Sequence, residues 1–95
     1  MTKNFDLPLL DLDGNPVTDG DRPLTAAVVC AAALLNGGDD KTPAAEKVTR
    51  YELAVRIRRG GDIELSVDEM KLVCDSVGKM YTPIVVGQIL PFLNK

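Results

Sequence analysis

Apolar runs and short polar breaks alternate along this chain in an order that predicts helices from about residue 24 onward. Across residues 24–35 the run LTAAVVCAAALL is apolar on nearly every helical face. Thr25 is placed to cap its start and Asn36-Gly37-Gly38 to stop it. A helix apolar all round needs burial all round. This one is therefore expected at the centre of the fold or on a surface shared with a second chain.

The next helix is expected to open at Thr42-Pro43, cap then Pro, and to run through AAEKVTRYELAVRIRR to Gly60-Gly61. Arg58 and Arg59 there complement the C-terminal dipole. At 100° per residue Val48, Tyr51 and Val55 share one stripe, whereas Leu53, Ala54 and Ile57 lie nearly opposite. The pattern predicts a helix packed on two sides.

Residues 62–65, Asp-Ile-Glu-Leu, are too short for more than an extended linker or a two-residue bridge, for which the N-terminal arm is a candidate pairing partner. Ser66-Val67-Asp68-Glu69 has the form of a capping box, and Met70, Val73, Cys74, Val77, Met80 and Tyr81 follow at helical spacing. Gly78 is expected to loosen or end this third helix. Thr82-Pro83 repeats the cap-then-Pro start for a last helix over Ile84, Val85, Val86, Ile89 and Leu90, which Pro91 should stop or kink. Gly87 suggests a close backbone neighbour, and Phe92 and Leu93 imply that the C-terminal segment docks on the domain or on a partner.

Ahead of the helices, Phe5, Leu7, Leu9, Leu10, Leu12 and Val17 flank the turn Asp13-Gly14-Asn15-Pro16, and an exposed second turn follows over 18–21. The fold class that results is mainly α, about four short helices with an N-terminal β-hairpin or extended arm. It is a single domain over 1–95, with the arm and loop in 1–23 and the helical core in 24–95.

Composition narrows the chemistry. The chain has no His or Trp and only four aromatic residues, two Tyr and two Phe, so its core must be aliphatic and it lacks a stacking platform for bases. Without His the commonest neutral-pH base and metal ligand is missing. Cys30 and Cys74 lie in apolar helical patterns without CxxC spacing, which fits reduced core thiols rather than a disulfide or zinc site. Met1 is followed by Thr2, Lys3 and Asn4 rather than a basic and apolar leader. No apolar run approaches the roughly 18 residues a membrane helix needs, so a soluble, unprocessed protein is expected.

The net charge of −3 is unevenly spread: residues 1–40 hold seven Asp against Lys3 and Arg22, while residues 41–60 carry six cations against Glu46 and Glu52. The basic helix is the one feature suited to an acidic partner or to phosphate, although its angles put Lys47 and Arg58 on one side and Arg56 and Arg59 on another. A solvated helix end paired with the acidic first third explains the same charges.

Three acidic patterns resolve into structure. Asp11, Asp13 and Asn15 alternate like calcium-loop ligands, but Pro16 stands where the loop needs Gly and Arg22 where it needs Glu, so a solvated turn is preferred. Asp39-Asp40 and Asp68-Glu69 sit at helix starts, where the dipole favours them. Ser66 and Ser76 lack a partnered base and a GxSxG elbow. No catalytic residue, metal ligand or cofactor is assigned.

The segments DLDGNPVTDG, KVTRYELAVRI, IELSVDEMKLV and VGKMYTPIVVGQ, taken in this order, resemble a group of small uncharacterised proteins of tailed bacteriophages and prophages. The resemblance covers most of the chain and implies a phage origin and the host bacterial cytoplasm as working compartment, with no activity attached. The expected function is that of a non-enzymatic phage accessory protein acting by protein–protein association, as a homodimer or with a bacterial host protein. The partner-binding set is Lys47, Arg50, Arg56, Arg58 and Arg59 with Ile89, Phe92 and Leu93 of the apolar C-terminal segment. A virion or assembly component is one alternative. A small nucleic-acid-binding regulator using the basic helix over 47–59 is the other, disfavoured by the acidic pI.

Overall fold

The computed structural model describes residues 2–38 and 40–94. In chain order its elements are β1 (Thr2–Asn4), β2 (Thr18–Asp19), β3 (Arg22–Pro23), α1 (Ala26–Asn36), α2 (Ala44–Arg58), β4 (Asp62–Glu64), α3 (Val67–Met80) and α4 (Pro83–Leu93). The described chain is mainly helical with small antiparallel strand pairs, as its pattern predicts.

α1 organises the rest. Seven of its 11 residues are buried, including Val29, Cys30, Ala31, Ala33 and Leu34. α2 and α3 pack on its flanks and the N-terminal arm crosses its start. The alanines leave room for these neighbours, because a small side chain lets another backbone come close.

The helix start is also closed chemically. The first amides of a helix have no partner within it, and here Phe5 O accepts from Ala27 N at 2.8 Å, Leu7 O from Ala26 N at 2.8 Å, and Thr25 Oγ1 from Val28 N at 3.4 Å. Thr25 is thus the cap that its position suggested. Leu9, Val17 and Leu24 exchange backbone hydrogen bonds of 2.9 Å, which folds the arm back on itself and places Leu9 in the core.

β1 pairs antiparallel with β4, in the register Thr2 to Glu64, Lys3 to Ile63 and Asn4 to Asp62. The arm therefore does pair with the linker after α2. Gly60 and Gly61, with φ of 81° and 75°, make the reversal that brings β4 back, and Asp6 Oδ2 accepts from Gly61 N at 3.2 Å. One contiguous core joins Phe5 and Leu9 of the arm, α1, Leu53, Ala54 and Ile57 of α2, Ile63, Leu65, Met70, Val73 and Val77, and Ile89 and Leu93 of α4.

Several local expectations are corrected by packing. α2 buries one side, not two: Val48 and Tyr51 are exposed and Val55 half-buried, because the central position beside it is taken by α1 alone. Its cap residue is Pro43, without a side-chain cap bond, rather than Thr42. Gly78 does not end α3, which runs to Met80, and Met80 itself turns out to solvent. Gly87 has open space around it instead of a neighbouring backbone.

Pro91 does not stop α4, which continues to Leu93. Proline cannot donate to the carbonyl four residues back, here that of Gly87. Both Gly87 and Pro91 face solvent, where water can serve that carbonyl, while Ile89 and Leu93 on the other face are fully buried. Phe92 meets Phe5 edge to face at 5.4 Å and 85°. Lys3 Nζ donates to Phe92 O at 3.1 Å, a cation at the helix C-terminus. Among the described residues no helix is long and apolar enough to cross a membrane.

Phe5 couples the arm to both α1 and α4. Truncation to Ala should cost about 3–5 kcal/mol, as for other fully buried aromatics, and urea unfolding would show it as a lowered midpoint with an unchanged slope.

Candidate functional site

The basic helix does not present its cations as a set. Arg50 turns inward with only 12% of its side chain exposed, its Nε 3.8 Å from a Glu46 oxygen. Its Nη1 donates to Ser76 Oγ at 3.0 Å and lies 3.5 Å from Leu34 O. One guanidinium thus ties α2 to α3 and sits at the C-terminus of α1, where the carbonyl ends favour positive charge.

Gly37 makes that reach possible. A Cβ there would collide with Arg50 Nη1 and stand 2.8 Å from Ala33 O. Its φ of −83° is ordinary, so the need for glycine at this position is one of space and not of backbone conformation. A cleft of about 540 Å³ lies over this junction, lined by Gly37, Thr42, Glu46, Arg50, Asp75 and Lys79 among others. Glu46 and Asp75 at its wall offset the charge of Arg50 and Lys79, so the cleft offers no anion-selective field.

Arg56 is also occupied. Its Nη1 donates to Glu69 Oε2 at 2.6 Å and its Nη2 to the Glu64 carbonyl. Glu69 is the same residue that closes the capping box, accepting from Ser66 N at 2.9 Å while Ser66 Oγ accepts from Glu69 N at 3.1 Å. The Ser66 amide holds the Glu69 carboxyl below the usual glutamate range; burial opposes this and Arg56 adds to the lowering. Lys47, Arg58 and Arg59 remain exposed.

The apolar half of the expected set divides in the same way. Ile89 and Leu93 are fully buried and leave the candidate surface, and Phe92 is half-buried against Phe5. The segment docks on its own domain. What it exposes instead is Ile84, 44% exposed, beside Leu10 and Leu12, 38% and 94% exposed, around a shallow cleft of about 430 Å³. Gln88 holds this corner together: its Oε1 accepts from Leu10 N at 2.8 Å and its Nε2 donates to Leu10 O at 2.7 Å. Nothing in the local pattern signals that pairing, because the residues are 78 positions apart.

A second apolar surface runs along the outer side of α2, where Val48 and Tyr51 are 56% and 61% exposed, with Leu35 at the end of α1 at 56%. Leu35 and Tyr51 line one groove with Asp40 and Lys47, and Tyr51 and Val55 line another with Glu52 and Arg59. The stripe was legible in the sequence, but its exposure depended on which neighbours α2 acquired.

The remaining chemistry is shifted away from reactivity. Burial, with Cys74 nearby, pushes the Cys30 thiol up to about 12, and burial with Asp75 raises that of Cys74. Burial and Cys30 raise Tyr81. A protonated thiol is a poor nucleophile and a poor metal ligand. Asp11 Oδ1 accepts from the amides of Asp13 and Asn15, each at 2.9 Å, which uses it as a turn brace. Among the described residues no three His, Cys, Asp or Glu side chains converge so as to hold a metal ion. Asp68 and Glu69 are in the first turn of α3; Asp39 lies outside the described residues.

Two consequences can be measured. Gly37→Ala should destabilise the fold by about 1–3 kcal/mol through overpacking. The same change should cost less in an Arg50→Ala background, which chemical denaturation of the four proteins would reveal as a coupling. Because the folded-state pKa of Glu69 is lowered, its contribution is present above its unfolded value of about 4.3 and is lost as pH falls through the folded value. Glu69→Gln should therefore be less stable than the native chain near pH 7, and its stability should fall less steeply between about pH 5 and pH 3. Comparisons with known protein families, with curated proteins and with solved structures find no match to this chain.

Proposed function

We propose that this protein acts by protein–protein association rather than by catalysis, as an accessory factor in the host bacterial cytoplasm, consistent with the phage and prophage resemblance of its motifs. The observation that carries this reading is the outer side of α2, where Val48 and Tyr51 are more than half exposed on a helix whose other side is in the core. Desolvating such side chains is favourable by about 25 cal/mol per Å² of apolar area, and a partner is what removes them from water. The exposed Leu10, Leu12 and Ile84 add a second apolar corner.

The nucleic-acid alternative is weakened by the same geometry. Arg50 and Arg56 are engaged within the fold, so Lys47, Arg58 and Arg59 would have to grip phosphate on a chain with a net charge of −3.

Affinity capture of the tagged full chain from bacterial lysate, at low and at moderate salt, with light scattering on the eluate, tests the proposal. A defined homo-oligomer, or a stoichiometric protein retained at moderate salt, is the expected outcome. Recovery of a monomer alone, or of nucleic acid that moderate salt removes, would overturn it.

A further inference from the structure

The outer side of α2 carries more than scattered apolar residues. Ala44, Val48, Tyr51 and Val55 follow one another at intervals of four, three and four, the spacing of a coiled-coil seam. Ala44, Val48 and Tyr51 are exposed and Val55 is half-buried. The core-facing Leu53, Ala54 and Ile57 lie on the other side of the helix. A seam of this spacing fits another helix with the same spacing.

The surface has the shape an isologous contact requires. Such an interface must hold both the knob and the hole on one patch, since each copy presents the same face. Tyr51 stands between two grooves of about 520 and 440 Å³, one lined by Leu35, Asp40 and Lys47, the other by Glu52, Val55 and Arg59. Each copy can therefore offer a ring and receive one.

Charge selects the orientation. Arg58 and Arg59 lie exposed at the end of α2, whereas Glu46 near its start is on the core side and held by Arg50. A parallel pair would bring four arginines to one end and align two helix dipoles. An antiparallel pair keeps the two pairs of arginines at opposite ends and opposes the dipoles.

We propose that α2 is the dimerisation helix of this protein, pairing antiparallel with α2 of a second copy, with Val48 of one copy layered on Tyr51 of the other. The proposal rests on the association reading and names its partner and surface. In this register Ala44 meets Val55. The contact is a single pair of helices of 15 residues, which places it among the smaller and weaker interfaces, with dissociation in the micromolar range.

Sedimentation of the full chain between about 5 and 200 µM should show a monomer–dimer equilibrium. Tyr51→Lys should abolish the dimer while leaving the far-ultraviolet spectrum unchanged, and the melting temperature unchanged at dilutions where the native chain is monomeric, since the side chain is exposed in the monomer. Leu12→Ser, on the other apolar corner, should leave the dimer intact. For orientation, Arg59→Cys protein should not cross-link to itself, the two positions being roughly 28 Å apart at 1.5 Å per residue. Ala44→Cys and Val55→Cys proteins, when mixed, should give the mixed disulfide under mild oxidant.

A dimer that survives Tyr51→Lys, or ready self-cross-linking of Arg59→Cys, would overturn the proposal. A monomer at every concentration that still retains a host protein at moderate salt would overturn it while leaving the association reading in place. A monomer that retains nothing would overturn both.

Discussion

The constraint on which the rest of this fold depends is the burial of α1. Its sequence has no polar side, so it cannot lie on a surface, and a small protein can hold such a helix only by wrapping it with everything else. α2 and α3 take its flanks, and the arm takes its start. Phe5 and Leu7 give their carbonyls to the helix amides, so the irregular first residues act as part of the core. The aliphatic composition, with neither Trp nor His, follows the same need: alanine and valine let neighbours approach a central rod closely.

Three cations of this chain help to close that arrangement. Arg50 sits at the C-terminus of α1, Lys3 donates to the C-terminus of α4, and Arg56 joins the end of α2 to the capping box of α3. A helix end exposes carbonyl oxygens without partners, and a long basic side chain from another element can satisfy them while pinning two elements together. Of what reads along the sequence as a basic patch, Arg50 and Arg56 are internal fastenings while Lys47, Arg58 and Arg59 stay exposed. The function proposed for the molecule accordingly rests on its apolar outer surface and on the few charges left exposed on α2.

That surface and the core are linked. A helix with apolar stripes on two sides can be satisfied twice inside a large domain, but among the described residues α1 packs closely along α2 while α3 reaches it through Arg50 and Arg56. The second stripe is left in water. Its basic end and the ridge of Tyr51 between two grooves then give it direction, which a patch made only of exposed aliphatic residues would lack.

The sequence by itself determined the local punctuation: the Thr25 cap, the Ser66–Glu69 box, the Pro83 start and the Gly60-Gly61 reversal. Each depends on bonds and dihedral preferences within a few residues, so the information is present in a short window. It also determined that α1 must be central, since an all-apolar helix has no other stable place. Only the tertiary structure decided which stripe of α2 faces out, that Arg50 passes Gly37 to reach Ser76, that Gln88 grips Leu10, and that α4 runs through Pro91. Those outcomes join residues far apart in the chain, and they turn on which neighbour or how much solvent each position meets, a quantity that exists only once the core has formed.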